Sequence, residues 1–256
     1  MRLVALVDKP SGLTSFECVE RLAKKFRVKK AGHTGTLDPK VTGLMIIALG
    51  EARKAIPVLM GMDKEYEGKM ILHKYVSKDS LKTGMKKFTG EIVQTPPVRS
   101  RVARKPRKRR VYSFEFLREN SREIEFRVKC EAGTYIRKLI HDLGETIGTG
   151  AHMAELRRIS VGPFGVKESL PMDKITRKDL IPIESVLERI VLKKAVVSSE
   201  AVEKIRNGVP VGKEMIIKSD DFGRNETFGI YDEEGSIIAL GKKSGSNINA
   251  DRVFSQ

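Results

Sequence analysis

The 256-residue sequence predicts an α+β protein: a mixed, largely antiparallel sheet flanked by helices, followed by a small β-barrel. Three observations carry that expectation. Alternating apolar segments recur on both sides of amphipathic ones rather than in strict βα succession, which argues against a doubly wound sheet. Residues 111–117 and 123–131 alternate strongly around Glu119-Asn120-Ser121 and read as a hairpin. Beyond about Lys193 the strands become short, and Tyr231-Asp232-Glu233-Glu234-Gly235 turns another hairpin, as in a barrel of roughly 60 residues. The division expected is 1–190 for the larger unit and 193–256 for the smaller.

Residues 2–7 read as a short strand, and Thr14-Ser15 then offers an N-cap to an amphipathic helix over 16–26. The octapeptide Gly32-His33-Thr34-Gly35-Thr36-Leu37-Asp38-Pro39 follows as a loop. Its glycines open backbone angles closed to other residues, and Pro39 biases Asp38 away from helical geometry, so the carboxylate is held in place. On local evidence alone the same residues make a structural turn. The glycine-bounded apolar run 43–50 is a buried strand, 52–60 a helix, 65–74 an alternating strand and 79–88 a helix. A proline-rich basic loop leads to the hairpin. After Gly133, residues 134–143 are helical, and 151–158 form a second short helix ending in Arg157-Arg158. Residues 160–180 are irregular, with Gly162-Pro163, Gly165 and Pro171, and 183–190 connect as a helix. In the smaller unit Ala195-Val196-Val197 precedes a capped helix over 199–207, which Gly208 ends.

Lysine and arginine number 49 against 33 acidic residues, a formal charge of +16, so the large partner expected is a polyanion. Nucleic acid fits better than a membrane surface. The densest basic run, 99–110, contains Pro106 and adjoins Pro96-Pro97, which is no amphipathic helix. Its Arg99, Arg101, Arg104, Lys105, Arg107, Lys108, Arg109 and Arg110 are candidate phosphate contacts, with a solvated loop as the plain alternative. No apolar run reaches membrane-spanning length, and the N-terminus meets Asp8 too soon for a signal peptide, so an intracellular protein is expected. Cys18 and Cys130, far apart in apolar contexts, read as reduced thiols. His33, His73, His141 and His152 show no ligand spacing, and no metal is expected.

Four segments in this order resemble one family: Lys9-Pro10-Ser11-Gly12-Leu13-Thr14-Ser15, the octapeptide, Ala132-Gly133-Thr134-Tyr135-Ile136-Arg137, and Glu155-Leu156-Arg157-Arg158 with Gly162-Pro163-Phe164. They are similar to the motifs of TruB-type pseudouridine synthases. Gln94-Thr95-Pro96-Pro97-Val98-Arg99-Ser100 and Gly150-Ala151-His152-Met153-Ala154-Glu155 resemble the archaeal and eukaryotic branch, whose eukaryotic member is dyskerin. The tail, with Gly235-Ser236-Ile237-Ile238-Ala239-Leu240-Gly241, resembles a PUA domain, the small RNA-binding barrel of that branch. Relative to that branch both ends look trimmed and the stretch 164–193 is short.

The resemblance implies a pseudouridine synthase fold with no cofactor, and the isomerisation of uridine in rRNA or tRNA. Asp38 would be the reacting carboxylate. Whether it attacks the sugar, removes a ribose proton or adds to the ring stays open. Arg137 would pair with it, keeping it ionised and oriented. Tyr66 matches the residue whose ring stacks on the target base and whose hydroxyl is a candidate base. On the substrate side stand His33, implicated in extruding the nucleotide, Thr36, Leu156 as the apolar pocket wall, and Lys9 supporting the acidic loop. Arg157 and Arg158 join Arg99, Arg107, Lys108, Arg109 and Arg110 as candidate RNA contacts, and the basic run matches a loop that closes over bound RNA. Implied partners are an H/ACA guide RNA and small accessory proteins, in the cytoplasm of an archaeal-type cell or the nucleolus of a eukaryote. A stand-alone enzyme for the tRNA T-loop and a non-catalytic RNA scaffold are the competing readings.

Overall fold

Leu44, Met45, Ile46, Ile47, Ala48 and Leu49 are all fully buried, so this run must lie mid-sheet with both faces covered. The computed structural model describes residues 1–96, 103–223, 226–244 and 247–254. Its elements are β1 (Arg2–Lys9), α1 (Ser15–Phe26), β2 (Ala31–His33), β3 (Thr42–Gly50), α2 (Ile56–Met60), β4 (Lys64–Leu72), α3 (Lys78–Lys87) and β5 (Gly90–Gln94). Then come β6 (Arg107–Asn120), β7 (Glu123–Cys130), α4 (Ile136–Thr146), β8 (Ala151–Val161), β9 (Phe164–Gly165), β10 (Leu170–Pro171), β11 (Ile181–Pro182) and α5 (Ile183–Arg189). The last group is β12 (Lys194–Val197), α6 (Ser199–Arg206), β13 (Ile216–Ser219), β14 (Thr227–Tyr231), β15 (Ile237–Ser244) and β16 (Asn247–Val253).

The first sheet runs β10-β1-β3-β8-β4-β7-β6-β5, with β11 on β1, β2 on β3 and β9 on β8. Among its described pairings only β1–β10 and β3–β8 are parallel, so the sheet is mixed and largely antiparallel, as its sequence predicts. Helices α3 and α4 cover the half built on β4, β6, β7 and β8, with Leu81, Met85, Leu139, Ile140 and Leu143 buried against it. Helix α1 covers β1 and β3 through Cys18, Val19, Leu22 and Phe26. The second sheet runs β13-β12-β14-β15-β16 and packs its own core on α6. It is not isolated: Ile237, Leu240 and Phe254 share a core with Val4, Leu6, Leu44, Ile183 and Leu187.

Four expectations need correction. Residues 151–158 belong to strand β8, inserted between β3 and β4, and are not a helix. Ala154, Glu155, Leu156 and Arg157 favour helix intrinsically, but two flanking ladders override propensity in a central strand. Arg107, Lys108, Arg109 and Arg110 are not loop residues; they pair with Gln94, Val93, Ile92 and Glu91. Arg99 and Arg101 lie outside the described residues. Gly32 and Gly35 are not among the positive-φ glycines. They are needed for space, since a Cβ on Gly32 would sit 2.7 Å from Ile56 Cδ1 and one on Gly35 3.3 Å from Arg158 Nη1. Pro57 also divides the expected 52–60 helix into a 3₁₀ turn and α2, which it starts near N1.

Candidate active site

Asp38 sits in the loop between β2 and β3, and both of its flanks are fastened from beneath. The Ser15 hydroxyl, buried at the start of α1, accepts from the Leu37 N–H at 2.8 Å and donates to the Leu37 carbonyl at 2.9 Å. On the other side the Lys9 ammonium donates to the carbonyls of Pro10, Pro39 and Val41 at 2.9, 3.0 and 2.8 Å. Gly12 N–H adds a bond to the Pro39 carbonyl at 2.9 Å. Lys9 is fully buried, and desolvation pushes its pKa down. Two of its three bonds go to the loop and the third to the neighbouring Pro10, so it supports Asp38 and does not reach the surface where RNA would lie. Thr36 is exposed beside it.

Arg137 stands in the first turn of α4, and its Nη2 donates to Asp38 Oδ2 across 99 residues of chain. The pair is open: the side chains keep 57% and 51% of their area exposed, so its contribution to stability is only about 0–1 kcal/mol. What it supplies is orientation. Tyr135, the residue that begins α4, has no side-chain cap. Instead Gln94, buried at the end of β5, accepts from Tyr135 N–H at 3.0 Å and donates to the Tyr135 carbonyl at 3.2 Å.

Under the loop lies a group of buried bases. Arg158 is 1% exposed and donates from Nε to the Leu44 carbonyl at 2.7 Å and from Nη2 to the Gly35 carbonyl at 3.1 Å. It pairs in register with Tyr66 across β8 and β4, and its cation lies beside the phenol. Burial pushes the Tyr66 phenol up against that cation's opposing influence, so the hydroxyl is protonated at neutral pH. Lys64 donates to the carbonyls of Met60 and Met62, and burial lowers it to about 8. His33, on β2, is held neutral by burial and by Arg158, and its Nδ1 is buried without a partner among the described residues. Leu156 faces Gly68 across the strands, where a Cβ would meet Phe126 at 2.9 Å and Leu156 at 3.0 Å. Next to this close approach opens a cleft of about 470 Å³, walled by Lys40, Thr42, Gly68, Phe126, Leu156 and Arg157.

Residues 23–136 match the model of the TruB family pseudouridylate synthase N-terminal domain, and 137–201 match the tRNA pseudouridylate synthase B C-terminal domain. A protein of Nanoarchaeum equitans named probable tRNA pseudouridine synthase B is 38% identical over 275 residues, covering 97% of this chain and 78% of that protein. This chain belongs to the TruB family. The like-named protein of Methanocaldococcus jannaschii is 39% identical over 268 residues, covering 97% and 79% of the two chains. Among solved structures, a chain of a Cbf5-Nop10-Gar1 complex superposes with a TM-score of 0.86 at 37% identity, covering 99% of this chain and 85% of that one. A chain of an H/ACA RNP bound to a substrate RNA containing 2'-deoxyuridine gives 0.84 at 35%, again covering 99% and 85%. The TruB chain described here is accordingly an enzyme, an isomerase acting on RNA, and its large sheet is the pseudouridine synthase fold.

Against that identity, the candidate RNA contacts of this TruB enzyme divide into two sets. Arg158 is buried under the Asp38 loop and cannot reach a phosphate, and Arg157 grips Asp8 with bonds of 2.9 and 2.7 Å. Strand alternation sends the two side chains to opposite faces, Arg158 beneath the loop and Arg157 to Asp8 on β1. Arg109 is also committed, stacked over Gly133 and 4.0 Å from Glu131. Arg107, Lys108 and Arg110 are exposed, with Lys108 in a solvent-screened pair with Glu91 at 2.9 Å. Sequence reasoning missed Ser15 as a loop anchor, Asp8, Lys64 and Gln94. Only Gln94 had a signal: alternation along β5 puts it on the inward face with Ile92, where a polar residue needs a partner.

Proposed function

We propose that this chain is the catalytic subunit of a guide-RNA-directed pseudouridine synthase, with residues 1–190 as catalytic unit and 193–256 as a PUA-like RNA-binding unit. Asp38 is the reacting carboxylate, and the observation that carries this is the Arg137 guanidinium bonded to it from a separate helix. In the reaction the N1–C1′ glycosidic bond breaks, C5 bonds to C1′, the C5 proton leaves to solvent and N1 takes one up. Such chemistry needs an extruded nucleotide and an oriented carboxylate against ribose or ring. Tyr66 and Leu156 line the base, Tyr66 through its ring. His33, Thr36 and the Lys9-supported loop shape its entry, and Arg107, Lys108 and Arg110 hold phosphates.

Guidance by RNA, with small accessory proteins as partners, is supported by the likeness to chains of H/ACA assemblies over 99% of this chain. A stand-alone tRNA activity is the second reading, favoured by the names of the archaeal relatives. Tritium release from 5-tritiated uridine decides between them. Release only with guide RNA and accessory proteins supports the first reading; equal release from bare tRNA transcript overturns it. Asp38→Asn should abolish release in the productive mixture while RNA affinity stays within about threefold. Retained turnover would remove Asp38 from the chemistry.

A further inference from the structure

Gln94 is a buried polar side chain for which the chemistry described above has no use. Both ends of its amide are committed to the main chain of Tyr135, two residues before Arg137. It is also the last residue of β5, paired in register with Arg107 at the start of β6. The segment entering α4 is therefore gripped by the basic ribbon at several points. Glu131 N–H donates to the Arg110 carbonyl at 2.8 Å, the Glu131 carboxylate accepts from Arg110 N–H at 3.0 Å, and Arg109 covers Gly133, whose φ of +80° no other residue adopts cheaply. Glu131 in turn accepts from the Thr134 hydroxyl through its carbonyl at 2.8 Å. Core packing of Ile136, Leu139, Ile140 and Leu143 fixes the axis of α4, and this segment fixes the start of its first turn, where Arg137 stands; its own partner, Asp38, is an exposed side chain and supplies no anchor.

We propose that Gln94 is a positioning residue: it locks the first turn of α4 to the β5–β6 ribbon, so that RNA held by Arg107, Lys108 and Arg110 sets the placement of Arg137 and thereby of Asp38. The proposal rests on the assignment of Asp38 and Arg137 as the reacting pair. Its energetic logic is that a misplacement near 1 Å costs on the order of a hundredfold in rate while leaving binding contacts elsewhere intact.

Two variants test it in the full chain. Gln94→Glu keeps shape and accepts from Tyr135 N–H but sets oxygen against the Tyr135 carbonyl, and Gln94→Met keeps volume and removes both bonds. Each should lower the single-turnover rate of tritium release by about tenfold or more with RNA affinity changed by less than about threefold. In an Arg137→Lys background the Gln94 substitutions should lose most of their effect. Independently of turnover, the Nε–H resonance of Arg137 in 15N-arginine-labelled protein should move toward its position in Asp38→Asn, where the carboxylate partner is gone, with the Arg158 resonance unmoved. An unchanged Arg137 resonance, or a rate loss matched by an equal affinity loss, overturns the proposal. Asp38→Asn run alongside separates the two levels: full activity there sinks the reacting-pair assignment and this inference with it, whereas an inactive Asp38→Asn with wild-type Gln94 variants sinks this inference alone.

Discussion

Lys9, Lys64 and Arg158 each commit a buried cation to main-chain carbonyls beneath the Asp38 loop, and for the two lysines burial pushes the pKa down. Lys64 shows it most clearly, lowered by desolvation to about 8 from 10.5. Below pH 8 both folded and unfolded chains carry the proton, and the folded state bears a desolvation cost of roughly 3 kcal/mol. As pH rises past 8 the folded state releases the proton while the unfolded state keeps it, so the cost declines until both are neutral. Wild type should therefore gain about 2 kcal/mol relative to Lys64→Met between pH 7 and 9.5, read as the difference in denaturant-unfolding free energy. Parallel stability curves for the two proteins would refute it. At this scale Asp38 and Arg137 were singled out by the family resemblance, since locally one reads as a turn residue and the other as an ordinary helix-surface charge, and the structure brings the two side chains together. The neighbouring Arg157 and Arg158 look identical in sequence, and only the strand's alternation reveals that one clamps Asp8 and the other is buried under Gly35.

Elements were legible where periodicity and punctuation agreed. The Thr14 cap, with the Glu17 box, starts α1 where the sequence expects it, and β6–β7 form the predicted hairpin. Strand β8 was not legible, since the Ala-Glu-Leu-Arg run has helical propensity and its strand state depends on β3 and β4, more than 80 residues earlier. The β3–β8 junction is tight: Gly43 has φ of +100°, and a Cβ there would lie 2.3 Å from the Arg158 carbonyl oxygen. Gly43→Ala should lower stability by about 3 kcal/mol or more, through strained φ and broken β3–β8 bonds, seen as a depressed melting temperature with reduced tritium release. A melting temperature equal to wild type would refute the tight junction. On β6, exposure separates the arginines. Replacing Arg107, Lys108 and Arg110 together with Ser should flatten the slope of log affinity against log salt by about 0.7–0.9 for each phosphate no longer neutralised. Arg109→Ser should leave that slope alone and lower stability instead. The ordering fails if Arg109→Ser changes the slope as much as the triple variant.

At the scale of the whole molecule, the charge of +16 makes long-range attraction to RNA nonspecific, so the pose of a bound RNA depends on surfaces held in fixed relation by the two sheets. Their relative placement is set by a shared core. Phe254, 1% exposed at the end of the second sheet, packs with Ile237 and Leu240 against Val4 and Ile183. Arg2 adds a bond from Nη1 to the Ile237 carbonyl at 3.0 Å and lies over the Phe254 ring at 5.7 Å, and Lys54 donates to the Val253 carbonyl. A barrel of short strands joined by a linker would unfold by itself; sheets that bury one cluster should unfold together. Phe254→Ala removes a side chain from that cluster and should cost about 3–5 kcal/mol. Amide exchange should then accelerate in β1 and in β15 by the same free energy, because opening either sheet exposes the other's half of the core. Faster exchange confined to β15, with β1 protected as in wild type, would mean that the second sheet opens alone and that the shared core does not couple the two.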